Sequence, residues 1–258
     1  MTQNEANDLA HAVHYWLSYQ TLCGRHMLLS ESYLAHPIGE YLRTKYADRV
    51  IAEQNHPFIE HSHRGRPRQI DYVVTRPRNN DQYLAAVEAK WVNGSAISKQ
   101  RILDDLLRLE CMKGSGIKRY FMLAGPVGQL SKNCLHRSFR SANGEGNVPF
   151  IPEILPLGTR SGDEDRRTIP VRDCRPALRS FFQSFADSYG LRLPISYTAE
   201  LIADVGAPMD VADENTQAVR VMMWEIQSVG RRSEFSPDIE WGDTPGPDEE
   251  EADEPVAV

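Results

Sequence analysis

The chain has 258 residues, 25% charged and 41% hydrophobic, with 29 Lys and Arg against 36 Asp and Glu, a formal charge of -7. This composition excludes a wholly disordered or collagen-like chain and leaves material for one large domain or two small ones. Taken over the whole chain, the charge opposes a partner as acidic as nucleic acid, but ten of the acids fall between Ser233 and Val258, where there is no Lys or Arg. Residues 1–232 hold 29 basic and 26 acidic side chains, a balance of +3. Cys23, Cys111, Cys134 and Cys174 lie far apart without a C-x-x-C pair, as expected of reduced thiols in a cytosolic protein. The first residues lack the basic-then-apolar pattern of a signal peptide, and no stretch approaches the roughly 20 apolar residues of a membrane span. A soluble, cytoplasmic protein with no membrane partner is expected.

Residues 5–22 are predicted to be helical, because Leu9, Ala12, Val13, Trp16 and Leu17 recur at helical spacing and Gly24 suits a helix end. A second helix covers about Ser30 to Tyr46, and Pro37 favours a start near His36–Pro37. Val50 to Glu60, Gln69 to Thr75 and Tyr83 to Val92 read as strands, the last two joined by the turn-rich Arg76 to Asp81. Ser98 to Lys113 is an amphipathic helix with Ile102, Leu106, Leu109 and Met112 on one side, and Arg119 to Ala124 is a short apolar strand. Further on, Val127 to Arg140 reads as helix, and Ser141 to Asn147 and Gly158 to Arg167 as loops. Ala177 to Tyr189 reads as a helix around Leu178, Phe181, Phe182 and Phe185, and Ser196 to Val205 and Gln217 to Val229 as a late strand pair. From Pro237 onward, Pro, Gly and acids predict disorder. A hairpin feeding a helix and then another strand implies an α/β protein with a mixed sheet and helices packed on it.

The informative stretch is Gln69 to Val92. A hairpin centred between Asn79 and Asn80 sets Asp71 opposite Glu88, and strand alternation then puts Asp71, Glu88 and Lys90 on one face. Ile70, Tyr72, Val74, Tyr83, Ala85, Val87, Ala89 and Trp91 form the other, almost wholly apolar face. Two facing carboxylates raise each other's pKa unless a cation sits between them, and Mg²⁺ typically takes one or two carboxylates and keeps several waters. Lys90 can bind a phosphate oxygen or orient an attacking water. These are the parts of metal-assisted phosphodiester hydrolysis.

Asp71 followed after a spacer by Glu88-Ala89-Lys90 resembles the PD-(D/E)XK nuclease superfamily, over roughly residues 31–126. The signature's Pro is replaced by Ile70. The resemblance implies a restriction-endonuclease-like mixed β-sheet core flanked by helices, with Asp71, Glu88 and the Ala89 carbonyl as ligands of Mg²⁺ (Mn²⁺ as a substitute) and Lys90 as the catalytic lysine. Many members add a glutamate on the helix before the first strand. Glu40 is the expected one here, and Glu31, placed for a helix cap, is the alternative.

The remaining candidates have plainer readings beside the functional ones. Arg64, Arg66 and Arg68 in the loop HSHRGRPR, with Arg76 and Arg78 beyond it, could contact phosphates or be solvated. Gln100, with Lys99 and Arg101, opens the helix after Lys90 and could touch substrate. His61 and His63 read as incidental in their loop, His11 and His14 as a polar helix face. Asp104, Asp105 and Arg108 read as a solvated face with local ion pairs, and Phe181, Phe182, Phe185, Trp91 and Trp224 as core. The acidic tail either solubilises the chain or competes with nucleic acid for the site.

The expected organisation is an N-terminal helix (1–29), a nuclease-like core (30–160), a C-terminal α+β extension packed on it (161–232) and a disordered acidic tail (233–258). The expected function is Mg²⁺-dependent hydrolysis of phosphodiester bonds, in DNA. The alternative is a catalytically inactive binding or scaffold protein of the same fold. Nucleic acid is the expected partner, and a homo-oligomer or a partner protein stays open.

Overall fold

The computed structural model describes residues 1–57, 59, 68–77, 79–92, 99–112, 116–135, 138–139, 148–149, 154–157, 165–171, 176–189, 193–209 and 216–229. Helix α1 spans Gln3–Leu22 and opens on a capping box. Glu5 N donates to Thr2 Oγ1 at 3.2 Å, and Thr2 N donates to Glu5 Oε2 at 2.7 Å. Its buried residues, Ala6, Leu9, Ala10, Val13 and Leu17, follow the 3–4 spacing of one helix face.

Helix α2 spans Glu31–Tyr46, which corrects the start expected near His36–Pro37. Ser30 caps it, its Oγ accepting from Tyr33 N at 3.3 Å. Pro37 sits inside the helix and removes one backbone donor, at a cost of about 3 kcal/mol. Burial of Leu34, Ile38 and Leu42 outweighs it, at about 1.5–3 kcal/mol for each side chain.

The strands are β1 (Val50–Asn55), β2 (Gln69–Arg76), β3 (Asn79–Trp91), β4 (Lys118–Pro126), β5 (Ser138–Phe139), β6 (Val148–Pro149), β7 (Arg166–Pro170), β8 (Ser196–Gly206) and β9 (Val219–Val229). Seven of them form one mixed sheet in the order β1-β2-β3-β4-β9-β8-β7, and β5 pairs with β6 separately. Only β3 and β4 are parallel, joined through α3 (Lys99–Cys111); the other pairs of the large sheet are antiparallel. The late strand pair is therefore continuous with the core sheet, because β9 lies directly beside β4. Strand β7 occupies part of a stretch that reads as loop in the sequence. Val127–Leu130 forms a short α4, followed by a π-helical turn to Leu135, so this helix stops well short of Arg140.

The centre of the sheet is buried on both faces. Tyr120, Met122 and Ala124 of β4 face α1 and α2, while Phe121 and Leu123 face α3 and α5 (Pro176–Tyr189). A continuously apolar strand is what two-sided burial requires. Phe182, Phe185 and Trp224 are core, with Trp224 Nε1 donating to Pro156 O at 2.7 Å. The result is an α/β protein with a seven-stranded mixed sheet flanked by helices. Among the described residues, no helix is long and apolar enough to cross a membrane.

Candidate functional site

Asp71 and Glu88 meet through the register of β2 and β3. Tyr72 pairs with Val87, Val73 with Ala86 and Val74 with Ala85, so the next step of the ladder sets Asp71 opposite Glu88. The turn differs from the expected one. Arg76 pairs with Asn79, leaving a two-residue loop at 77–78 rather than a centre at Asn79–Asn80. Register shifts on either side of Thr75 restore the alignment further in. The same shifts turn Tyr83 to the α3 side of the sheet, and Ile70 packs there too, so neither shares the face of Tyr72 and Val74.

Glu88 is buried and Asp71 half-buried, at the cleft beside α2. Glu88 is 1% exposed, which removes the solvated-face reading of this hairpin. Asp71 Oδ2 accepts from Ala89 N at 2.8 Å, and its carboxyl lies close enough to that of Glu88 for the two to interact. Burial raises the pKa of both, and the Asp71 charge raises that of Glu88 further, well above the ordinary range. The N–H and C=O of a strand residue leave on the same edge, so the Ala89 carbonyl leaves β3 on its β2 side, as its N–H does.

Lys90 and helix α3 surround this pair. Lys90 Nζ lies 2.8 Å from Glu31 Oε1 and 3.1 Å from Asp105 Oδ2. These carboxylates outweigh burial and hold its pKa above the ordinary lysine value, so Lys90 is a fixed cation. Arg108 donates twice to Glu88 Oε1, from Nε at 3.2 Å and Nη2 at 3.1 Å, and also pairs with Asp105. His56 fastens this part of α3. Its Nδ1 accepts from Ile59 N at 2.9 Å, which leaves Nε2 to donate to Arg108 O at 2.9 Å.

The α2 glutamate that reaches Lys90 is Glu31, and Glu40 lies away from it. Nine residues are two and a half turns, so the two project from opposite sides of α2, and Glu40 is exposed. Gly39 lets α2 lie close to the sheet, since a Cβ there would come 3.2 Å from the Tyr72 hydroxyl. Tyr72 in turn donates to Ala35 O at 2.6 Å. Between α2 and the sheet opens a cleft of about 410 Å³ whose lining includes Glu31, Glu53, Asp71 and Ala89. Glu53 stands at the β1 position opposite Asp71, in the left-handed region at φ 51, where the β1–β2 ladder skips a pair.

Glu31, Asp71, Glu88 and Asp105 are four acids against two cations, Lys90 and Arg108. A divalent cation would offset that imbalance. Among the described residues, no three His, Cys, Asp or Glu side chains are arranged as a metal-binding group. The donor set that remains, two carboxylates and the Ala89 carbonyl completed by water, fits Mg²⁺.

Other candidates fall elsewhere. Arg68 is exposed, and its charge lowers the pKa of Asp104 against the rise due to burial. Gln100 lies in the first turn of α3, with its side chain outside the described residues. Arg64, Arg66, Arg78, His61, His63 and the acidic tail also lie outside them. Asp105 and Arg108, read from the sequence as a solvated face, instead stand beside Glu88, Asp105 buried and Arg108 half-buried. Asp105 falls between Ile102 and Leu109 on the apolar stripe of α3, and a charge inside such a stripe is the signal that could have found it. No protein-family model, curated protein or solved structure matches the chain.

Proposed function

We propose that the chain is a Mg²⁺-dependent nuclease with a restriction-endonuclease-like core, hydrolysing phosphodiester bonds in DNA. The observation that carries this reading is the half-buried Asp71 facing the buried Glu88 beside Lys90, at the end of the parallel strand β3. Ligands commonly bind at such strand ends in α/β sheets.

Asp71, Glu88 and the Ala89 carbonyl would hold the metal. When bound, Mg²⁺ supplies Lewis acidity at the scissile phosphate and lowers the pKa of a coordinated water. Lys90 stays protonated, so it supplies positive charge to a phosphate oxygen and takes no proton from water. Glu31 and Asp105 aim its ammonium group. Arg108 holds one oxygen of Glu88 and leaves the other toward Asp71.

The test is a cleavage panel of plasmid, linear, single-stranded and branched DNA, and RNA, with Mg²⁺ and Mn²⁺. Asp71→Ala and Glu88→Ala should each lower cleavage on the order of a thousandfold while the circular dichroism spectrum is kept. Wild-type cleavage by either variant would contradict the assignment. One observation favours the second reading, an inactive binding or scaffold protein: Arg108 and Lys90 are each already paired with two acids of the cluster.

A further inference from the structure

The outer face of α1 carries a feature that the cleft does not use. Residues 9–29 contain no Asp, Glu or Lys, in a chain that is 25% charged. Within them Tyr15 is 68% exposed, Tyr19 61% and Leu22 87%, and just past the helix end Met27 is 83% and Leu28 60% exposed. The large hydrophobic residues noted as exposed among the described residues all fall in this one segment. Inward-facing Leu9, Val13 and Leu17 explain the helix; they do not explain the outward stripe. Ala12, Tyr15, Tyr19 and Leu22 follow 3–4–3 spacing, the seam along which two helices pack. Tyr, Met and Arg enriched and Lys, Glu and Asp depleted is the composition of a protein–protein contact.

We infer that this face is the two-fold interface between two copies of the chain. Its charge and its area support a second copy. The segment holds no Asp, Glu or Lys and one arginine, Arg25, whose Nη1 donates to Gln20 Oε1 at 3.1 Å, so it repels its own image little, whereas a strongly charged patch selects a partner of opposite sign. The five exposed side chains offer on the order of 700 Å², close to the ~800 Å² per partner of a standard stable interface. The dimer makes the helix continuous with a second apolar layer and covers side chains that water otherwise surrounds. This inference does not depend on the nuclease reading.

The experiment is sedimentation velocity on the full chain over a wide concentration range, with alkylation of Cys23 as a second readout. Cys23 is an exposed thiol directly after Leu22, while Cys111 and Cys134 are buried. The wild type should show a dimer, with Cys23 shielded as the dimer forms. Leu22→Glu enters the interface twice and should weaken the dimer about tenfold or more, as should Tyr19→Glu, with the helical signal unchanged. A monomer at every concentration with Cys23 equally reactive would overturn the inference. So would a dimer indifferent to both variants, which would place the contact on another face. A monomer whose affinity for single-stranded DNA falls on Tyr15→Ala and Tyr19→Ala would also overturn it, assigning the face to base stacking instead.

Discussion

Two glutamates of this sheet are each 1% exposed, and their surroundings differ in kind. Glu225 on β9 is closed: its Oε1 accepts from Lys118 at 2.6 Å and Gln227 at 2.8 Å, and its Oε2 accepts from Gln3 at 3.2 Å. One acid meets one base, and both oxygens are used. Glu88 on β3 is open. It shares its space with Asp71, Asp105 and the more distant Glu31, against Arg108 and Lys90, and burial together with the Asp71 charge raises its pKa well above the ordinary glutamate value. Burial alone therefore does not mark a site. An excess of one charge among buried groups does, because a fold gains nothing by retaining it.

Substitution should separate the two. Cleavage shows the largest difference: Glu88→Gln should lower it on the order of a thousandfold, and Glu225→Gln should leave it within a few-fold. Stability should move the other way in metal-free solution. Glu225→Gln breaks a satisfied cluster and should cost about 1–2 kcal/mol, with Lys118 partly relieved by water. Glu88→Gln removes a repelled acid and should leave the midpoint of thermal unfolding unchanged or higher near neutral pH. Loss of stability in Glu88→Gln equal to that in Glu225→Gln would erase the contrast.

The pH dependence follows from the same pair. The Glu88 pKa is higher in the fold than in the unfolded chain, so over the range between the two values the folded state binds more protons. Stability of the metal-free protein should therefore fall as pH rises above the ordinary glutamate range. Glu88→Gln should flatten this part of the profile, and an equally sloped profile in the variant would contradict the assignment.

The smallest expected difference lies between two glutamates of α2. Glu31→Gln removes one carboxylate from Lys90 and should lower cleavage about tenfold. Glu40→Gln should change it less than about twofold, and equal losses would show that the contact with Lys90 does not matter.

Much of this was legible in the sequence, for local reasons. Alternation in Gln69 to Val92 placed Asp71 opposite Glu88, because period-2 patterning survives bulges that a turn assignment misses. The outer half was not legible. Choosing Glu31 over Glu40 required the phase of α2 relative to β3, and that phase is set by Ser30, Gly39 and the buried Leu34 and Ile38 rather than by distance along the chain. Asp105 and Arg108 resembled an ordinary i, i+3 surface pair until α3 docked on the sheet. Strand β7 was hidden because Arg166, Arg167 and Thr168 are exposed at the sheet's edge and carry little apolar alternation.

The most direct measurement is calorimetric titration of the metal-free protein with Mg²⁺ and with Mn²⁺ at two pH values, in wild type and Glu88→Gln. A metal binds the ionised carboxylates and the Glu88 pKa is raised, so the wild type should bind more tightly at the higher pH and release protons as it does. Glu88→Gln should lose that binding. Heat that is absent, or that is the same in both proteins, would contradict a metal site at Asp71 and Glu88 and leave the cluster as a closed set of ion pairs.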